Sequence, residues 1–415
     1  MALSEGGGRW PLAALIALAV AARLAVIAPR LGQPPDDPDN YLPLARTLAE
    51  GRGFLINGRP SAYRPPLYPL VLAPLVRLLD ERRLMWGVAA LHLALGAGTV
   101  SLTYVASRRW GLSPRRGLVA AAVVALDPVL VVQSRSVMTE TLAAFLLASS
   151  FAGLGMPGWR GPVLGGLAFG LGGLCRPSTL SGAAVTALAA VAFGPGGLRE
   201  RVGRAALLVA ATAVMLAPWA IRNAIVLGEP VWTTTHGGYT LALANNPTYY
   251  REVLDGPPDA VWSGEDQFRW FDRANKETAG MSEPQADRYL RRQALRMLEE
   301  RPRTFARATA ARLGRFWGIA PSGKVYQSWL RTATAAWTVP LWAALALGLV
   351  NLGLWAWPRV SAPASILALT AVHAVFWTDL RMRAPIVPAI ALIAAGARAP
   401  RGPFGGRKKN GKSAN

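Results

Sequence analysis

WPLAALIALAVAARLAVIA, residues 10–28, is an apolar run broken by a single charge, Arg23. A bilayer core about 30 Å thick is crossed by about 20 apolar residues in a helix, so this stretch is long enough to span. It exceeds the apolar core of a secretory leader, and no convincing small-x-small cleavage pattern precedes Gly32, so it reads as a retained first span. Further runs follow at about 85–106, 117–133, 137–155, 161–175, 178–194, 205–225, 332–357, 361–378 and 384–397. Composition agrees: hydrophobic residues make up 52% of 415 and charged residues 16%, against roughly 25% charged in soluble domains. The expected fold class is an all-α polytopic membrane protein. It has about ten or more transmembrane helices, juxtamembrane helices and a large extracytoplasmic helical loop.

The formal charge of +22, from 45 Lys and Arg against 23 Asp and Glu, is better explained by membrane topology than by nucleic acid. Excess cations mark cytoplasmic connections. With the N-terminus inside, those connections hold Arg108, Arg109, Arg115 and Arg116, then Arg160, then Arg199, Arg201 and Arg204, then Arg359. The tail adds Arg398, Arg401, Arg407, Lys408, Lys409 and Lys412. Only Glu5 and Glu200 oppose them. Both termini are therefore expected in the cytoplasm of a multi-pass inner-membrane protein. The single cysteine, Cys175, excludes an intrachain disulfide and a cysteine metal cluster.

Three parts result: an N-terminal transmembrane module over 1–228 with an acid-rich outer loop at 29–84, an extracytoplasmic helical insert at 229–331, and a C-terminal transmembrane module with a basic tail at 332–415. In the insert, Ser282-Glu-Pro-Gln285 is a capping box that opens a helix to about Glu300. Beyond Pro302, Phe305, Leu313, Phe316 and Trp317 share one helical face, with Arg303, Arg307 and Arg315 off it. That pattern suits the membrane surface. The stretch 65–79 is apolar but too short to span comfortably, and is assigned to the outer interface.

The outer loop reads PPDDPDNYLPLARTLAEGRGFLINGRPSAYRPPLYPL over 34–70. Asp37-x-x-x-Tyr41 precedes a helix-like segment ended by Gly51 and Gly53, and Arg64-Pro-Pro-Leu-Tyr68 follows. Further along stand Met138-Thr-Glu-Thr-Leu142, Cys175-Arg-Pro177, Pro218-Trp-Ala-Ile-Arg-Asn223, Ala244-Asn-Asn-Pro247 and Arg381-x-Arg-x-Pro-Ile-x-Pro388. In order and spacing these motifs resemble the glycosyltransferase C superfamily. The resemblance is to the bacterial relatives of protein O-mannosyltransferases and of the lipid A aminoarabinose transferase.

That resemblance implies an inverting transferase that moves a sugar from a polyprenyl phosphate at the outer face of the lipid bilayer to an acceptor hydroxyl on protein, lipid or glycan. Asp37 matches the family's catalytic aspartate and is the proposed base, with Asp36 and Asp39 as rivals one or two residues away. Capping of the helix near Asn40 is the competing role for all three. Arg64 stands where the family has a basic phosphate contact; a snorkelling interface arginine is the alternative. Glu140 stands where the family has another cavity acid, and a first-turn glutamate favoured by the helix dipole is the alternative. Arg381 and Arg383 lie where the family holds the donor phosphate, with Arg381 preferred. Tyr41, Tyr63, His236 and Asn245 are candidate cavity residues. Tyr63 replaces an acid associated with metal in the aminoarabinose transferases, so no cofactor is required and a divalent metal is unsupported. Arg176, Arg222 and Asn223 read as topology anchors. A secondary transporter or flippase, or a non-catalytic scaffold, are the rival functions. The acids and arginines gather at outer span ends and no repeated halves are evident, which disfavours a transporter.

Overall fold

The computed structural model describes residues 9–257, 260, 262, 264–323 and 327–397. The tail cations Arg398 to Lys412 lie outside the described residues. Helix α1 (Arg9–Ile27) leads into the first long loop, which contains α2 (Tyr41–Ala49), the strands β1 (Leu55–Ile56) and β2 (Arg59–Pro60), and α3 (Leu67–Leu78). The antiparallel ribbon turns through Asn57 and Gly58, both at positive φ, as a two-residue hairpin requires. Then come α4 (Glu81–Arg109), α5 (Pro114–Leu126), α6 (Pro128–Gln133), α7 (Glu140–Leu154), α8 (Arg160–Cys175), α9 (Thr179–Phe193) and α10 (Leu198–Leu227). The second long segment holds α11 (Gly237–Ala244), α12 (Pro247–Tyr249), α13 (Glu265–Glu277), α14 (Glu283–Glu300) and α15 (Pro302–Phe316). Helices α16 (Ser328–Leu349), α17 (Ser361–Val375) and α18 (Val387–Ala395) complete the described chain.

Among the described residues four helices, α1, α4, α10 and α16, are long and apolar enough to cross a bilayer. Of the shorter apolar helices, α7 packs on α4, α9 on α10, and α17 on α9, and the chain is a multi-pass membrane protein. Val209, Val214, Ile221 and Ile225 of α10 stay exposed, which suits contact with lipid. On its inner side α10 meets α8 through Gly166 and Gly170. A β-carbon at Gly166 would stand 2.4 Å from the Leu208 carbonyl oxygen, and one at Gly170 2.7 Å from that of Thr212. Small residues four apart let two membrane helices approach this closely. Thr212 Oγ1 donates to the Gly166 carbonyl at 3.0 Å.

Several spans differ from the sequence expectation. The run 117–133 is two helices, because Pro128 has no N–H to continue α5; Asp127 instead accepts from Val129 N and Leu130 N at 3.0 and 3.1 Å, starting α6. The carbonyls of Val124 and Ala125 left at the end of α5 accept from Arg23, the one charge of the first span. The run 332–357 ends its helix at Leu349, and the last run begins with a 3-10 segment, Leu380–Ile386, before α18. Helix α14 carries the expected capping box. Part of the apolar face of α15 is covered by α17, with Phe316 stacked on His373 at 5.0 Å.

Candidate functional site

One cavity of about 730 Å³ opens between the first long loop, the starts of α7 and α9, helix α11 and the Leu380–Ile386 segment. The wall formed by that loop is held from several sides. Asp37 accepts from Tyr41 N at 2.9 Å and Leu42 N at 2.8 Å, so both carboxylate oxygens satisfy orphan amides at the start of α2. Asp36 accepts from Ser136 Oγ at 2.6 Å, and its carbonyl from Val137 N at 2.8 Å, joining the loop to the approach of α7. Arg222 donates to the carbonyls of Ser61 (2.6 Å) and Phe54 (3.0 Å), so it pins the loop to α10 rather than merely anchoring a span. Glu283 accepts from Ala62 N at 2.9 Å and Thr235 Oγ1 at 3.0 Å, tying loop to insert.

Inside, charges are paired. Arg64 bonds Asp39 at 3.0 Å, and its guanidinium lies 5.5 Å from the Tyr63 ring and 5.9 Å from that of Tyr41. Glu140, fully buried, meets Arg176 at 2.9 Å and Arg381 at 3.8 Å. Arg381 also approaches Asp379 at 3.4 Å. A carboxylate without water is costly unless guanidinium groups surround it, so Glu140 fixes two arginines in one wall. Beside Arg64, Tyr63, His236 and Tyr239 form an aromatic cluster, with Tyr63–His236 centroids 4.3 Å apart edge-to-face and His236–Tyr239 stacked at 4.9 Å.

Desolvation raises the proton affinity of Asp37, and the amides of Leu42 and Tyr41 only partly offset it. Burial, reinforced by Arg64, pushes the His236 imidazolium well below the usual histidine range, so the ring is neutral. The phenols of Tyr41 and Tyr63 are pushed up by burial and stay protonated.

Of the residues marked in sequence, Asp39, Tyr41, Tyr63, Arg64, Glu140, His236 and Arg381 line this cavity. Asp37 does not; it lies behind the lining as a helix cap, within electrostatic reach of Asp39 and Arg64. Arg383 is a correction. Its guanidinium turns away to the carbonyls of Phe316 and Gly318 at 3.2 and 2.9 Å, because the end of α15 leaves those acceptors unmet. Asn245 is a second correction: it is buried, donating to the carbonyls of Leu241 and Val375 at the end of α11. Arg176, read as an anchor, belongs to the cavity wall, and the Cys175-Arg-Pro177 motif was its signal. Tyr239 carried no signal in the sequence. Among the described residues no three His, Cys, Asp or Glu side chains gather closely enough to hold a metal ion.

Residues 78–229 match the family described as dolichyl-phosphate-mannose-protein mannosyltransferase. No curated protein matches the chain significantly by sequence. Among solved structures, the apo oligosaccharyltransferase of Archaeoglobus fulgidus superposes with a TM-score of 0.55 at 14% identity, over 93% of this chain and 50% of that one. The oligosaccharyltransferase AglB from Archaeoglobus fulgidus, in complex with an inhibitory peptide and a dolichol-phosphate, gives a TM-score of 0.53 at 14% identity over the same shares. ArnT from Cupriavidus metallidurans bound to undecaprenyl phosphate gives 0.42 at 14% identity, over 94% of this chain and 78% of that one. The chain thus spans about half the length of the archaeal enzyme, and the likeness is one of fold.

Proposed function

From its place in the glycosyltransferase C superfamily, related to the protein O-mannosyltransferases through residues 78–229, we propose that this chain transfers a sugar from a polyprenyl phosphate to an acceptor hydroxyl. The observation that carries the proposal is convergence. Arg64, Arg176 and Arg381, far apart in sequence, line one cavity with Asp39. The structurally similar AglB was solved with a dolichol-phosphate, a carrier whose anionic head such a cavity suits. In the reaction the acceptor oxygen bonds the anomeric carbon as the bond to the carrier phosphate breaks, with inversion. The leaving phosphate keeps the electron pair, and fixed guanidinium groups stabilise its charge. The hydroxyl proton goes to a carboxylate.

Asp39 is the carboxylate that touches the cavity, and we assign it that proton. A second reading keeps Asp37, favoured by its raised proton affinity and its match to the family motif. Purified protein supplied with defined polyprenyl-phosphate sugars should consume one of them, and Asp39→Asn should cut turnover by about 10²–10⁴-fold without loss of fold. Asp37→Asn is not a neutral cap here. Both oxygens accept amides, so an NH₂ would face one of them, and about 1 kcal/mol of stability should go. A base must be ionised, so the rate falls as pH drops through its pKa. If Asp37 is the base, the acid limb of kcat/KM lies above the ordinary aspartate range of about 4. Near-normal turnover in Asp39→Asn with a large loss in Asp37→Asn moves the role to Asp37. Near-normal turnover in both ends the mechanism.

We place this cavity on the extracytoplasmic side, with both termini inside, on the strength of the cation-rich short connections. In a Cys175→Ser background, an impermeant thiol reagent on intact cells should label Arg59→Cys in the exposed ribbon and Lys276→Cys on α13, and spare Arg201→Cys. The opposite pattern reverses the orientation.

A further inference from the structure

Resting on the glycosyltransferase reading, we propose that Tyr63, His236 and Tyr239 form the subsite for the donor's sugar ring, and that this subsite selects a sugar without a cationic amino group. Three observations support it. First, the wall is aromatic and continuous with the phosphate side: Tyr63 meets His236 edge-to-face at 4.3 Å, His236 meets Tyr239 at 4.9 Å in near-parallel stacking, and Tyr63 also lies 5.5 Å from the Arg64 guanidinium. A sugar whose phosphate is held at Arg64 therefore has its ring beside these aromatic faces. The apolar C–H face of a pyranose packs on such rings.

Second, the polar edges of the wall are unspent. Among the described residues the Tyr63 and Tyr239 hydroxyls, the His236 ring nitrogens and the Gln267 amide make no hydrogen bond within the protein, while all four side chains line the cavity. They offer donors and acceptors to sugar hydroxyls, with the imidazole neutral.

Third, no carboxylate is left for an ammonium group. Among the described residues lining the cavity, Asp39 is paired with Arg64, and Glu140 with Arg176 and Arg381. A cationic sugar would face Arg64 across the wall without a counter-charge, which costs binding. The outer loop supplies Tyr63 and the insert supplies His236 and Tyr239, so sugar choice is built from both segments, joined where Glu283 bonds Ala62 N and Thr235.

The test measures binding of three probes to the full-length protein in lipid nanodiscs: undecaprenyl phosphate, its conjugate with a neutral hexose and its conjugate with a 4-aminopentose. The neutral conjugate should bind about tenfold more tightly than either other probe. Tyr239→Leu should remove about tenfold of that gain, Tyr239→Phe only part of it, and both should bind the bare carrier as the parent does. An aminopentose conjugate that binds as well as or better than the hexose, or a gain unchanged in Tyr239→Leu, overturns the subsite while leaving the transferase reading intact. Failure of the parent protein to bind the bare carrier or either conjugate overturns that reading, and the subsite with it.

Discussion

Two sets of buried or half-buried arginines separate the scaffold of this protein from its cavity. In the first set each guanidinium closes a helix C-terminus. Arg23 serves the last carbonyls of α5, Arg312 serves Ala244 of α11 and Ala374 of α17, each at 2.9 Å, and Arg383 serves Phe316 at the end of α15. Exposure of these three is 2% or less. Their partners are neutral oxygens that the backbone cannot otherwise satisfy, and the helix dipole favours a cation there. In the second set the partners are carboxylates: Asp39 for Arg64, Glu140 for Arg176 and Arg381. These guanidinium groups face open volume. A guanidinium paired with a carboxylate beside open volume has donors that a second anion such as a phosphate can join; a carbonyl cap has no such freedom. The same residue type therefore holds the bundle together in one region and, in the proposed function, meets the donor phosphate in the other.

The sharpest way to break that distinction uses two arginines two residues apart. Arg381→Ala should lower kcat/KM for a lipid-phosphate donor by about 10²–10³-fold, the scale of losing one fixed charge on a developing anion. Its thermal stability in detergent should fall less than that of Arg383→Ala, because Arg176 at 2.9 Å still pairs with buried Glu140. Arg383→Ala should do the reverse, losing stability because the Phe316 and Gly318 carbonyls go unpaired. A stable Arg383→Ala with a donor defect equal to that of Arg381→Ala would erase the two classes.

A smaller effect is expected at Arg312. Its guanidinium bonds two helix-end carbonyls, with Thr309 and Asn245 nearby. Arg312→Leu fills similar space but leaves those acceptors unmet, at a cost of about 2–3 kcal/mol. Denaturant or heat unfolding in detergent should register it, with KM for the lipid donor unchanged. A donor-binding defect without loss of stability would move Arg312 into the second set.

How much of this was legible before any fold was known follows from the same division. The apolar runs foretold the helices because a bilayer demands about 20 residues per crossing, and Ser282–Gln285 foretold α14 because a capping box is local chemistry. The break at Asp127-Pro128 was written in Pro128, yet the run around it stayed apolar, so hydropathy read it as one span. Arg64, Glu140 and Arg381 were legible through their motifs. Arg176 was not separated from an anchor, and Arg383 not from a phosphate ligand. A cation at a span end looks alike in sequence whether a carbonyl or a carboxylate awaits it, and that partner is fixed by packing between elements far apart in the chain. Tyr239 belongs to the same class: a lone aromatic in a long insert has no spacing to mark it.

Arg64 tests what the second set needs, charge alone or charge in a plane. Its guanidinium bonds Asp39 at 3.0 Å and lies between two tyrosine rings at 5.5 and 5.9 Å. A planar, weakly hydrated cation stacks in such a slot, whereas an ammonium on a flexible stem keeps the charge and loses the fork. Arg64→Lys should therefore raise KM for the lipid-phosphate donor by about tenfold, roughly the value of one lost charge-assisted bond, with kcat nearly held. Arg64→Ala should lose more, in donor use rather than acceptor affinity. If the lysine variant is as inactive as the alanine variant, plane and fork matter and charge alone does not suffice. If the alanine variant turns over normally, Arg64 only holds Asp39 in place, and it joins the arginines that build the scaffold.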